Sequence, residues 1–260
     1  MNSSLNEQVQ KLKSSNFYGL WAISSTLLIL LCGFLCLSLT NLQYIFWPLG
    51  FILTTLPLIR LIMLGHDIGH NILFSSLILN KITKFVVGSL IALPLESWSR
   101  GHALHHKYNG NLSIYKGPLV IMSTQEVVSL PLRTRRSYIR SRNLLNLYIA
   151  SSLRYLIIPR LRLIPGWTKR TVIRNPSYRY NLYSCIIDTS KGLIVNKKEI
   201  IDTSISSIGF IVILFLLSSI SLTHLIVYLV SVSFSFYITD IIFHMQHNFE
   251  GSYASSKLIW

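Results

Sequence analysis

From Leu20 to Leu39 the chain runs without a charged residue, and about 20 helical residues at 1.5 Å each are as long as a bilayer's hydrocarbon core is thick. Such a stretch has no polar face to turn toward water, so it cannot be a surface helix of a soluble domain. Further apolar runs follow. Tyr44 to Leu64 is uncharged except for Arg60 near its end, where a long side chain can snorkel to the headgroups, and Pro48 and Pro57 can kink it. Ile205 to Ile220 and Leu222 to Ile242, parted only by Ser221, read as a helical hairpin across the bilayer. Phe85 to Leu95 is apolar but only about half a span long, so it reads as a re-entrant or interfacial segment returning to the same face. The expected fold class is all-α integral membrane. Four transmembrane helices form two hairpins, joined by the re-entrant or interfacial segment and by a cytoplasmic helical cap that carries the histidines.

Charge orients this plan. Lys and Arg number 24 against 9 Asp and Glu, a net charge of +15. With the N-terminus inside, the connections near 40–43 and 219–223 lie outside, and neither holds a Lys or Arg. The basic residues then fall inside or at the inner end of the second span, as the positive-inside rule requires. Arg133, Arg135, Arg136, Arg140 and Arg142 form the densest patch and suit an anionic lipid surface. No nucleic-acid-binding signature accompanies them, so nucleic acid is not an expected partner. The polar first sixteen residues, followed by an apolar run longer than a signal core, give no sign of a cleavable signal peptide. Cys32, Cys36 and Cys185 contain no C-x-x-C pair and support neither a disulfide framework nor a thiolate zinc site.

Seven of the eight histidines fall into three clusters, and this topology assigns all three to one face. His66 and His70 are four apart just past the second span, on one side of a helix. His102, His105 and His106 repeat spacings of three and four, and His244 and His247 lie three apart directly after the fourth span. His224 precedes His244 by twenty residues on the same helix, about 30 Å at helical rise, so it belongs to the opposite face and is excluded as a ligand. Neutral imidazoles suit zinc, copper, iron or nickel, and seven exceed one tetrahedral site, which makes a binuclear centre reasonable. Asp67, Glu96, Asp240 and Glu250 lie within a few positions of a cluster and can orient imidazoles through the second ring N–H, or ligate directly.

These residues resemble the membrane fatty acid desaturases, especially bacterial acyl-lipid types. The resemblance rests on His66-Asp67-Ile68-Gly69-His70, on Ser97-Trp98-Ser99-Arg100-Gly101-His102-Ala103-Leu104-His105-His106, and on Phe243-His244-Met245-Gln246-His247-Asn248-Phe249-Glu250. Gly110-Asn111-Leu112 and Ser123-Thr124-Gln125-Glu126 extend it, so that it covers roughly residues 60 to 130 and 235 to 254. It implies a non-haem centre of two irons that uses O2 and two electrons to remove two hydrogens from an acyl chain. His66, His70, His102, His105, His106 and His247 are its expected ligands, with His244 beside them. Zinc has no redox chemistry of its own and fits that demand poorly. Electrons are expected from a ferredoxin or cytochrome b5-like donor, because the chain carries no NAD, flavin or haem motif. The basic surface is the expected docking site for an acidic donor. The expected location is a bacterial inner membrane, with the N-terminus and histidine clusters cytoplasmic.

In one respect the chain departs from the pattern: the family carries a further His-x-x-His-His box after the third cluster, and this sequence reaches Trp260 without it. Residues 1–260 are thus expected to be a single desaturase-like domain lacking its C-terminal part. Two other readings share the motifs. One is a lipid or carotenoid hydroxylase or ketolase of the same fold, since a fold and its metal site do not settle the reaction outcome. The other is an inactive remnant that binds lipid or a protein partner. A histidine-rich transporter fits less well, because its spans should carry charged residues lining a path.

Overall fold

A computed structural model describes residues 14–39, 43–108, 122, 124–161 and 197–247. The regular structure of the described residues is helical: α1 (Asn16–Ser38), α2 (Gln43–Gly69), α3 (Leu77–Leu90), α4 (Leu95–Tyr108), α5 (Thr124–Ser129), α6 (Leu132–Arg140) and α7 (Leu144–Ser152). A π-helical turn (Leu153–Ile157) leads into α8 (Ile158–Leu161), and the long helices α9 (Lys197–Ile220) and α10 (Leu222–His247) follow. Four helices are long and apolar enough to cross a membrane, over Asn16–Ser38, Ile45–Gly69, Lys197–Ile220 and Leu222–Phe243. Large apolar side chains such as Phe17, Trp21, Leu28, Leu35, Ile211 and Phe215 point outward from α1 and α9. In water that surface would be an aggregation hazard; in a bilayer it faces lipid.

The expected spans are present, and the structure lengthens them. The third begins at Lys197 rather than Ile205 because Glu199 and Asp202 find partners inside the fold. Buried Glu199 pairs with Arg100 (Nη2 to Oε2, 2.7 Å), and buried Asp202 accepts the backbone N–H of Glu96 at 2.9 Å. Phe85–Leu95, expected as one short segment, is divided. It comprises the last turn of α3, a bend at 91–94 and the first residue of α4, and the two helices stand at 103° to each other. Pro94 disfavours helical geometry in Leu93 before it, and Ala92 takes a left-handed φ of 54°. Together α3 and α4 make a broken span or a re-entrant loop.

The core lies where this bend meets the long helices. Leu58, Leu61 and Ile68 of α2 pack there against Val87, Ile91 and Leu95. Tyr228 of α10 is fully buried and donates to the Leu90 carbonyl, tying the fourth span to the bend. Near the middle of α2, Gly33 lets α1 approach closely: a Cβ there would lie 2.8 Å from Thr54 Oγ1 and 2.9 Å from Leu53 C. Within the membrane such backbone approach replaces the hydrophobic drive that lipid does not provide.

Candidate metal centre

The end of α2 and the middle of α4 deliver three imidazoles to one place. His66, His70 and His102 each offer a ring nitrogen, and these atoms lie within 4.8 Å of one another. Ring centroids are separated by 4.7 Å for His66 and His70, 4.7 Å for His66 and His102, and 5.4 Å for His70 and His102. The sequence accounts for the first pair, because one helical turn separates His66 from His70. The third member depends on the bend, which turns α4 back across the end of α2. Gly69 lets them meet: a Cβ there would lie 2.6 Å from Ser99 Oγ and 3.2 Å from the Trp98 ring.

Trp98 forms a wall of the cluster. Its indole stacks on His102 at 4.5 Å and 14°, and stands edge-on to His66 at 5.8 Å. Asp67 Oδ1 lies 3.2 Å from His66 Nδ1. With Nδ1–H donating to that carboxylate, His66 keeps its Nε2 lone pair for a metal. Burial lowers the pKa of His70, the neighbouring His66 lowers it further, and Asp67 opposes the shift. The net effect favours neutral imidazole, the form that ligates.

The other expected site residues divide. The backbones of His105 and His106 continue α4, and those of His244 and His247 end α10; their side chains, like all of Glu250, lie outside the described residues. Phe243, the residue before His244, brings the end of α10 to the cluster, with its ring 6.1 Å from His66 and 6.3 Å from His102. Among the described residues, two of the four acids take partners other than an imidazole. Glu96 pairs with Lys84 at 2.8 Å, and Asp240 accepts from Ser151, Arg154 and Tyr155. The partners of Asp240 compensate its burial with charge and hydroxyls, which adjacency in sequence could not reveal. His224 sits at the far end of α10, where its ring nitrogens meet Ser221 Oγ at 2.6 Å and the Phe34 carbonyl at 3.0 Å. Trp98, Ser99 and Gly69 entered the sequence reading only as letters of motifs; no spacing rule marks a stacking partner or a close approach.

A fit to metal follows from this donor set. Bonds of about 2.1 Å put nitrogens on one ion at most roughly 4.2 Å apart, so small imidazole rotations bring the three within coordination distance. A sequence model of the fatty acid desaturases matches residues 42–257. The chain belongs to the fatty acid desaturase family. It is 28% identical over 89 residues to a Delta(12) fatty acid desaturase of Mortierella alpina, covering 34% of this chain and 22% of that protein. It is 31% identical over 71 residues to an oleate hydroxylase of Claviceps purpurea, covering 27% and 15%. A third relative is the chloroplastic sn-2 acyl-lipid omega-3 desaturase (ferredoxin) of Arabidopsis thaliana, 30% identical over 70 residues, covering 27% and 16%. The matched stretch thus spans only about a sixth to a fifth of the length of these relatives. No solved structure matches the chain. Family membership and the four apolar helices make it an integral membrane protein.

Proposed function

We propose that this desaturase-family chain is an oxidoreductase that introduces a double bond into an acyl chain. The observation that carries this is the convergence of His66, His70 and His102 from two helices onto one point in a member of that family. In this reading these three hold one part of a two-iron centre, and His105, His106, His244 and His247 complete it from the ends of α4 and α10. Iron, when bound, supplies the activation of O2 needed to oxidise an unactivated aliphatic C–H bond. The chain's own residues do the rest. Asp67 holds the His66 tautomer, Trp98 keeps His102 in plane, and the core around Leu58, Leu61 and Tyr228 excludes water from the membrane side of the cluster.

Removing two hydrogens from the chain while reducing O2 to two waters requires two further electrons and two protons. A ferredoxin or cytochrome b5-like protein is the proposed donor, and a relative named as ferredoxin-linked supports that class. Arg133, Arg136 and Arg140 are exposed on α6 and offer its docking charge, with anionic headgroups competing for the same surface. The positive-inside pattern supports a cytoplasmic location for this face and the cluster.

The test uses purified chain in detergent and whole-cell lipids from a host lacking desaturases. Bound iron that is lost in His66→Ala and His102→Ala but kept in His224→Ala, together with a product two mass units lighter than its precursor, is the expected result. No bound iron in the unaltered chain overturns the site. A product sixteen units heavier indicates the hydroxylase reading, which the similarity to an oleate hydroxylase favours as second choice.

A further inference from the structure

The segment from Ser151 to Arg160 contains no histidine, yet three of its side chains converge on one carboxylate of α10. Asp240 Oδ2 accepts from Ser151 Oγ at 2.5 Å and from Arg154 Nη1 at 2.7 Å, while Oδ1 accepts from the Tyr155 hydroxyl at 2.6 Å. All four residues are buried. Burial and the adjacent Asp240 carboxylate push the Tyr155 phenol up, so it remains a donor. Spacings of three and four put Ser151, Arg154 and Tyr155 on one helix face. The π-helical turn spans the residues that carry Arg154 and Tyr155, a departure from α geometry often found at functional sites. Tyr155 also stacks on Phe236, one turn before Asp240, at 4.5 Å and 18°.

The same segment grips the other side of the site. Arg160 donates from Nη1 to the Leu156 carbonyl at 2.7 Å and from Nη2 to the Ala92 carbonyl at 2.9 Å. Ala92 is the left-handed residue of the bend that turns the chain into α4 and His102. One short segment therefore clasps the helix that ends in His244 and His247 and the bend that aims His102. A buried ion pair rarely adds more stability than apolar side chains of the same volume, but unpairing it is costly. What it adds here is register, since α10 cannot slide or rotate without stranding a charge. Asp240, His244 and His247, spaced by four and seven, share one face of α10.

We propose that Asp240 is a positioning residue: gripped by Ser151, Arg154 and Tyr155, it sets the height and rotation at which α10 delivers His244 and His247 to the histidine cluster. Arg160 refers the same segment to the bend before α4. The proposal rests on the metal-centre reading for its purpose, though not for its geometry.

The test uses the full chain with Cys32, Cys36 and Cys185 replaced by Ser. Spin labels go on Ile78→Cys of α3 and Met245→Cys of α10, both exposed, and Co(II) is the metal probe. Asp240→Asn is expected to broaden the distance distribution between the labels. It should also alter the visible Co(II) bands and weaken Co(II) binding about tenfold, the lower end for loss of an outer partner. Tyr155→Phe, which keeps the Phe236 stack, should do the same to a smaller extent and carries the test if Asp240→Asn does not fold. Leu217→Ala, a core change on α9, is the control: it should lower stability and leave distances and bands alone. Folded Asp240→Asn and Tyr155→Phe with unchanged distances and bands overturn the proposal. Broadening in a chain that binds no Co(II) even unaltered supports the positioning role and refutes the metal reading instead.

Discussion

Gly69→Ala isolates the contact that joins the two halves of the histidine cluster. Ordinary van der Waals contact for a Cβ begins near 3.4 Å, and the new methyl would lie 2.6 Å from Ser99 Oγ, about 0.8 Å too close, and 3.2 Å from Trp98 Cζ3. Ser99 donates to the Leu95 carbonyl, so rotating it away forfeits a hydrogen bond worth about 1 kcal/mol. Trp98 cannot yield without lifting off His102, on which it stacks at 4.5 Å. Overpacking of this kind costs about 1–3 kcal/mol, set against a gain of up to about 1 kcal/mol in helix propensity from Gly to Ala. The chain should relieve the clash by moving α4 off the end of α2, carrying His102 away from His66 and His70. A loss of about 1.4 kcal/mol in metal binding is a tenfold weakening. Co(II) titration in detergent, followed by visible absorption, measures it. Gly101→Ala on α4 is the control, since a Cβ there meets nothing within 4 Å. Gly69→Ala/Ser99→Ala should recover most of the affinity. If Gly69→Ala binds Co(II) as tightly as Gly101→Ala, the close approach of α2 and α4 does not set the geometry of the cluster.

Trp98→Leu should weaken Co(II) binding roughly fivefold, since an aromatic stack is worth about 1 kcal/mol beyond its burial; Trp98→Phe should retain most of it. His224→Leu removes the ring's hydrogen bonds to Ser221 Oγ and the Phe34 carbonyl at the far end of α10, each of which keeps another partner, so unfolding in mixed detergent should show a loss of about 1 kcal/mol while Co(II) affinity stays unchanged. Arg154→Met leaves Asp240 buried without its cation and should cost about 3–5 kcal/mol by the same assay. Arg154→Met/Asp240→Leu should regain most of that stability without regaining the Co(II) spectrum.

The membrane plan was legible in the sequence because lipid imposes it locally. A helix satisfies its own backbone, so a charge-free run such as Leu20–Leu39 is nearly sufficient to specify a span. The pairing of His66 with His70 is likewise a property of one helical turn. His224 could be separated from His244 by rise per residue alone. Tertiary structure decided everything that depends on a partner remote in sequence. Whether Glu199 and Asp202 end a span or begin one depends on Arg100 and the Glu96 N–H, about a hundred residues earlier. Asp240 stands four residues from His244 and looked like an imidazole's partner, yet its lone pairs belong to a segment some 85 residues upstream. Bringing His102 to His66 required the 103° bend between α3 and α4, where an arginine from the 151–160 segment donates to the Ala92 carbonyl. Local spacing can place side chains on a common face; only the assembled fold determines which partner faces them.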